Sequence, residues 1–488
     1  MAQDPSDSRR PILTRRHLLE AGIASAGLVA VVGPRVLRAE GGGATGDAEA
    51  GGNSPYVPAP GAAEYDFDVQ RMTLDPDGQK PMPGVVVNGV MPGPEIRVKR
   101  GDLLRIRMSN QLSDEPTSIH WHGLLVPAAM DGVPNISNVP TAARGMYVYE
   151  YPILQTGSYW YHSHYGLQEQ IGLFGSYVIE DDDEPNQADR DAAVLISDWL
   201  HRDPYKVFED LKKPSAEKKA PESGPDLADI QYASYLINGR GLNDPWTLEV
   251  EPGQSLRLRV TGAGASTYFR VSLDEHPLEI THVNGPAVVP VSVDEFLIGP
   301  GEGYDARVRI EKEGSYTLHA VTQAGDAQAV GVIHTPGVAP KPNLTIPKPA
   351  KRALKLDMLR AIEPTTLPPG KRRDLRIVLG GDMKNYVWMM NGQAFPKADP
   401  LVIGAGERVG LEMVNKTGMW HPMHVHGHFF RALNGAGERS PLMHTISVPP
   451  KETVRVEFTA DNPGKWFFHC HNLYHLDAGM ARIIEYQV

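Results

Sequence analysis

The chain repeats itself three times at roughly domain length, and such a repeat leaves few folds open. The first half of each copy is an Asn-Gly pair, then a Gly turn running into a strand that alternates aliphatic with polar or charged residues. Asn88-Gly89 leads to Gly101-Asp102-Leu103-Leu104-Arg105-Ile106-Arg107, and Asn238-Gly239 leads to Gly253-Gln254-Ser255-Leu256-Arg257-Leu258-Arg259. In the third copy Asn391-Gly392 leads to Gly406-Glu407-Arg408-Val409-Gly410-Leu411. Asn-Gly supplies the positive φ angles of tight turns, and alternation with a period of two marks strands with one buried face. The chain also holds 49 Gly and 42 Pro, the turn formers that many short strands need. Stacked Greek-key β-sandwiches or barrels follow.

The second half of each copy is a Gly followed by an aromatic strand that ends in His. Copies one and three read Gly157-Ser158-Tyr159-Trp160-Tyr161-His162-Ser163-His164 and Gly464-Lys465-Trp466-Phe467-Phe468-His469-Cys470-His471. Copy two reads Gly314-Ser315-Tyr316-Thr317-Leu318-His319-Ala320-Val321, so Val321 stands where the others keep a second His. The middle domain is therefore stripped of metal-binding capacity. The predicted boundaries are 64–182, 183–338 and 373–488, with a Pro- and Lys-rich linker over 339–372 that wraps the surface. A charged insertion spans Lys212 to Gly224, and Tyr205 to Lys212 is the one segment read as a short helix.

Residues 1–39 read as a targeting segment. Thr14-Arg15-Arg16-His17-Leu18-Leu19 carries a twin-arginine pair ahead of an apolar run, Ala21 to Gly33, too short for a membrane span. It resembles a twin-arginine export signal, which implies the twin-arginine machinery as a partner and a periplasmic or extracellular destination. Residues 40–63 read as a flexible linker, and no stable membrane insertion is expected. A net charge of -11 argues against nucleic-acid binding.

Ten of the 18 histidines fall in four clusters: His120 and His122; His162 and His164; His421, His424 and His426; and His469, His471 and His475. On a strand, residues i and i+2 face the same way, so each of four His-x-His pairs presents two imidazoles to neighbouring metal ions. The single cysteine, Cys470, lies between His469 and His471 and points to the opposite face, toward a different metal. A thiolate with His421 and His475, and Met480 as weak axial ligand, is the donor set of a blue-copper electron-transfer site. One peptide unit on either side of Cys470 then joins that site to the eight-imidazole cluster.

Over residues 64 to 488 these motifs resemble the multicopper oxidase superfamily, in particular bacterial laccases and the copper-resistance protein A group. The likeness rests on Trp160-Tyr161-His162-Ser163-His164-Tyr165-Gly166-Leu167-Gln168-Glu169-Gln170, on Met130-Asp131-Gly132-Val133-Pro134, and on His469-Cys470-His471-Asn472-Leu473-Tyr474-His475. It implies three consecutive cupredoxin-like domains and four coppers per chain. Type 1 copper would be held by His421, Cys470, His475 and Met480, and type 2 by His120 and His424. The type 3 pair would be held by His122, His162 and His471 on one ion and His164, His426 and His469 on the other.

The implied reaction is one-electron oxidation of a phenol or aminophenol, with Cu(I) as the alternative donor, coupled to reduction of dioxygen to water. Cys470 and an exposed edge of His475 or His421 would take up electrons, and Asp131 would relay protons through water. Some bacterial relatives carry Glu beside the type 1 His; here the neighbours are Tyr474 and Leu476. The methionine-rich insertion common in copper-resistance proteins is replaced by 16 dispersed methionines. Met419, Trp420 and Met423 flank His421, and at least two of them are expected to be core packing. His276, His282, His319, His334 and His444 read as ordinary structural or surface histidines, and His428 as a residue behind the ligands.

Overall fold

Each repeat becomes a pair of sheets, and the same two parallel strand pairings recur in all three. In the computed structural model, which describes residues 62–213 and 229–487, Ala62–Leu74 runs parallel to Leu103–Asn110, Arg190–Trp199 to Ser255–Gly262, and Arg372–Asp382 to Arg408–Asn415. On the facing sheets Gly93–Lys99 pairs parallel with Phe174–Glu180, Trp246–Glu249 with Gln328–His334, and Leu401–Gly404 with Ala481–Gln487. The other pairings are antiparallel, which gives three Greek-key, cupredoxin-like sandwiches.

The Asn-Gly turns explain why the first halves repeat. Asn88, Asn238 and Asn391 have φ of 52°, 49° and 52°, each followed by a Gly with φ of 72–74°. Each Asn side chain also clips the neighbouring strand. Its Oδ1 accepts from the amide of Asp68, Leu195 or Val378 at 2.7 Å, and its Nδ2 donates to the carbonyl two residues earlier. A hairpin turn and a register lock come from one side chain.

The predicted export signal (1–39), nearly all of the linker 40–63 and most of the insertion lie outside the described residues. The first strand begins at Ala62, two residues before the expected start of domain one, because it pairs from its first residue with Leu103. Residues 339–372 pin two domains together: Arg352 and Arg360 carbonyls accept from Asp294 and Val289, and the Ala361 and Thr365 amides donate to Arg439 and Glu438. The short helix runs Pro204–Lys212, started by Asp203, whose side chain accepts from the Tyr205 amide. No described helix is long and apolar enough to cross a membrane.

One buried polar network ties domain one to domain two. Asp305 Oδ2 accepts from Ser158 Oγ at 2.8 Å and from Arg257 Nε at 2.7 Å. Arg257 also forks onto Glu184 at 3.0 and 3.1 Å, and His282 Nε2 sits 3.1 Å from the same carboxylate. Burial would raise the Glu184 pKa, but hydrogen bonds from His282 and Arg257 outweigh it and hold it at about 2. A depressed carboxylate stabilises the fold above its unfolded pKa and loses that contribution as pH falls toward the folded value.

Replacing Asp305 with Leu leaves the buried Arg257 half-paired, and we expect a loss of about 2–4 kcal/mol in the first unfolding transition, read from urea denaturation. In the unaltered chain the Glu184 contribution should be complete above pH ~4.5 and disappear toward pH about 2. Unfolding midpoints that stay flat across that window would remove Glu184 from the account.

Candidate metal centre

Two antiparallel pairings set the geometry. His120–His122 lies against Gly157–His162 with His120 opposite His162, and His421–Val425 lies against Lys465–Cys470 with His424 opposite His469. Each pairing brings two His-x-His motifs to one edge of its domain, and the two edges meet.

The eight rings converge in overlapping groups of donor atoms: His120 falls with His162 and His164 and also with His424 and His426, and two further groups are His122 with His162 and His471, and His164 with His426 and His469. His162 Nε2 lies 3.4 Å from both His122 Nδ1 and His471 Nε2. His426 Nε2 lies 3.0 Å from His469 Nε2, and the donor atoms of His164, His426 and His469 fall within 4.8 Å of one another. The ring centroids of His120 and His424 are 5.9 Å apart. The Nε2 atoms of His120, His164 and His424 are buried and meet no protein partner.

In six of the eight rings the opposite nitrogen is anchored, whereas His471 Nδ1 meets no partner. Donation from Nδ1 runs from His120 to the Asp131 carbonyl (2.8 Å), from His424 to the His444 carbonyl (2.8 Å) and from His469 to the Cys470 carbonyl (2.9 Å). His426 Nδ1 donates to Asp131 Oδ2 at 3.0 Å, and His162 Nδ1 lies 2.6 Å from Glu169 Oε2. His122 is reversed: its Nε2 lies 2.9 Å from the Gly301 carbonyl, which turns Nδ1 to the centre.

Burial, then the neighbouring rings, hold His122, His162, His164, His424, His426 and His471 well below the usual histidine pKa. His469 is pushed down to about 3, with burial first among the causes. These seven rings are therefore neutral and their inward lone pairs are free. Unpartnered lone pairs facing one another in a dry space are costly unless a cation lies among them. The donors thus fit metal ions, and imidazole donors suit copper or zinc.

A second cluster lies one residue away. Cys470 Sγ is 3.6 Å from His421 Nδ1 and 3.7 Å from His475 Nδ1, and those two nitrogens are 3.2 Å apart. Met480 is buried; its amide donates to the His475 carbonyl and its own carbonyl accepts from the Cys470 amide. A five-residue helix, Leu473–Asp477, which the sequence reading did not anticipate, brings His475 back under Cys470. Asn472 caps it by accepting from the Tyr474 and His475 amides. Burial raises the Cys470 thiol above its ordinary pKa, so a thiolate there needs a bound cation. The soft sulfur donors select copper.

Two expectations need correction. His421 and His475 present no exposed edge; both are 0% exposed. His421 Nε2 meets Thr417 Oγ1 at 2.7 Å, while the Trp388 ring lies 3.9 Å from the His475 ring and Asp229 Oδ2 lies 3.3 Å from His475 Nε2. Tyr386 donates to the same Asp229 oxygen. His444 is not an ordinary histidine either. It is buried against the cluster, pushed down to about 3 by burial, with its ring 4.8 Å from that of His122.

The remaining described histidines have partners other than a metal, His201 among them through Asp77 at 2.9 Å. His319 is bonded through both nitrogens, to Gln328 and Asp274; His276 and His334 meet backbone carbonyls; and His428 backs onto the His426 carbonyl. Met419 and Met423 are core residues at 5% and 0% exposure, with Trp420 half-buried beside them.

Glu169, Asp229, Gly301 and Thr445, whose hydroxyl lies 3.1 Å from both His122 Nε2 and His424 Nδ1, were missed as site residues. Only Glu169 had a signal, as an acid inside the Gln168-Glu169-Gln170 stretch next to His164.

Multicopper oxidase family models match residues 68–184, 190–337 and 368–487. The chain is 33% identical to Multicopper oxidase MmcO of Mycobacterium tuberculosis, over 98% of this chain and 97% of that protein. It is 30% identical to the Copper resistance protein A homolog of Pseudomonas syringae pv. tomato, over 86% and 92%. The laccase of Botrytis aclada superposes with a TM-score of 0.74 at 24% identity over 87% of each chain, a likeness of fold.

Because the Nδ1 anchors fix the rings, Glu169→Leu should weaken copper retention against a chelator about 10- to 100-fold, and Glu169→Gln, which keeps an acceptor, should recover most of it. Equal retention in all three proteins would show that Glu169 does not position His162.

Proposed function

The chain belongs to the multicopper oxidase family, an oxidoreductase family, and from that premise we propose that it is a laccase-like oxidase of phenols and aminophenols with dioxygen as acceptor. One observation carries the reading. Cys470 faces His421 and His475, while its two chain neighbours face different triples: His471 sits with His122 and His162, and His469 with His164 and His426.

In this reading His421, Cys470, His475 and Met480 hold one copper, His120 and His424 a second, and the two triples a pair. Bound copper would supply one-electron uptake at the sulfur site and four-electron reduction of dioxygen to water at the cluster. The chain does the rest. The Cys470 peptide gives a bonded path from thiolate to both triples. Asp131 holds His120 and His426 through carboxylate and carbonyl oxygens and, being buried among the rings, relays protons through water. Asp229 and Trp388 fix the His475 ring from outside, so electrons reach it through packed side chains.

The twin-arginine segment supports export of the folded protein. A second reading, oxidation of Cu(I) in copper defence, is favoured by the likeness to the copper-resistance protein A homolog. Against it, Met419 and Met423 are buried in the core and offer no surface thioether site. Oxygen uptake with a phenol against Cu(I), with and without added Cu(II), separates the two.

Metal analysis should find roughly four coppers per chain, with an intense blue absorption from the thiolate site. Cys470→Ser should bind roughly three, lose the colour and lose nearly all oxygen uptake with phenols. Turnover at the native rate in that variant, or a colourless copper-loaded native protein, would end the reading. A methionine thioether at position 480 also implies a low to middle reduction potential that Met480→Leu raises, measured by redox titration of the blue band.

A further inference from the structure

A cleft of about 610 Å³ opens at the surface, lined mostly by the second domain with Asp77 and Gln79 of the first, within the size range of small-molecule sites. Among its lining residues are Tyr232, Tyr235, Tyr268, Gln323, Asp326 and Asp77, the last paired with His201 Nε2 at 2.9 Å, and the described lining contains no Lys, Arg or His. The cleft connects toward the sulfur site through chain neighbours of its lining. Ile230 lines it and follows Asp229, which lies against His475 Nε2; Tyr268 lines it and sits 5.6 Å from the ring of Trp420, which precedes His421.

Its chemistry is one-sided. Three phenol rings give flat apolar contact area. Gln323 Oε1 is shielded from solvent and meets no donor of the protein, an acceptor whose desolvation an N–H or O–H donor of a ligand would offset. Asp326 is exposed at the rim, and the negative potential of Asp198 and Asp326 reaches the Tyr235 hydroxyl, where it adds to burial in holding the proton on. An aromatic face, a bare acceptor and the exposed Asp326 carboxylate suit a ligand that is aromatic, donates hydrogen bonds and carries neutral or positive charge.

We propose that this cleft docks the reducing substrate and selects aromatic amines, such as aminophenols and aryl diamines, over aromatic donors bearing sulfonate or carboxylate. The proposal rests on the laccase-like reading and names its substrate class. Each donor gives up one electron and sheds one N–H or O–H proton. Four donors thus provide the four electrons and four protons that convert one dioxygen into two waters, leaving four organic radicals.

The test uses the copper-loaded full chain and separates binding from turnover. Calorimetric titration with phenyltrimethylammonium and with benzenesulfonate, neither of them a substrate, reads charge selectivity directly. The cation should bind at least about tenfold tighter, and Asp326→Asn should cut that preference about three- to fivefold, as befits loss of one partly screened charge. Glu363→Gln, an exposed acid outside the cleft, should leave it unchanged.

In oxygen-uptake assays Gln323→Leu should raise KM for N,N-dimethyl-p-phenylenediamine about fivefold with kcat, copper content and blue absorption preserved, while KM for anionic ABTS stays the same or falls. Equal binding of cation and anion, or KM values indifferent to both cleft variants, would overturn the proposal. Intact cation selectivity without turnover of any organic donor would overturn the assignment of the cleft to the reductant, and with it the laccase-like reading, while leaving a cation-selective aromatic site.

Discussion

Eight imidazoles share one dry space here, seven of them held neutral, and most have one nitrogen committed elsewhere. Protonating any of those seven would bury a charge among neighbouring rings, and burial with mutual proximity prevents that. Leaving both nitrogens unpartnered would cost on the order of 1–3 kcal/mol per group. The chain resolves this by tying the outer nitrogens to fixed oxygens: the Asp131 carboxylate and carbonyl, the Glu169 carboxylate, and the carbonyls of His444, Cys470 and Gly301. The inner nitrogens are left to a metal. Folding and metal loading are therefore linked, since the arrangement is unfavourable until cations occupy it.

The middle domain has lost its ligands yet holds the site shut. Its Gly301 has φ +74°, and a Cβ there would approach His471 at 2.7 Å and His122 at 3.0 Å, rings from the other two domains. Asn284 Nδ2 donates to the Thr445 carbonyl at 3.0 Å, and Glu302 accepts from the Ser447 amide and hydroxyl. Asp229 reaches His475, and Asp305 binds Ser158 of the first domain. Replacement of the second His by Val321 did not make this copy redundant. It turned a potential metal-binding edge into packing, with His319 satisfied by Gln328 and Asp274.

Local rules made the sandwiches and the pairing of the histidines legible in the sequence. Asn88, Asn238 and Asn391 declare their turns through a residue that tolerates positive φ, and i, i+2 spacing on a strand puts His120 and His122 on one face whatever else the chain does. Groups brought in from elsewhere were illegible. Asp229 belongs to no recognisable motif and meets His475 only because two domains pack together. Gly301 acts through a carbonyl that every residue possesses, and His444 looked ordinary because its role lies in its backbone oxygen. The helix Leu473–Asp477 is too short for its periodicity to register, although Asn472 is a sound capping residue in hindsight. The exposed edge expected for His475 failed for a related reason: ligand spacing does not say what covers the outer face of a ring.

That cover bears on how the sulfur site works. Trp388 packs on His475, Asp229 and Tyr386 close over its Nε2, and Phe208 of the helix Pro204–Lys212 lies 6.2 Å from Tyr474. Electrons can cross a packed side chain or a hydrogen bond, but water and oxidants cannot, so a reductant need not touch the imidazole to deliver its electron. Keeping water from Cys470 also protects the thiol from oxidation. If copper binds there as proposed, the dry, low-dielectric shell would disfavour the more highly charged metal state and so raise the potential, while a Met480 thioether ligand would lower it. The balance of those opposed effects, set by residues from two domains, decides which donors the site can oxidise.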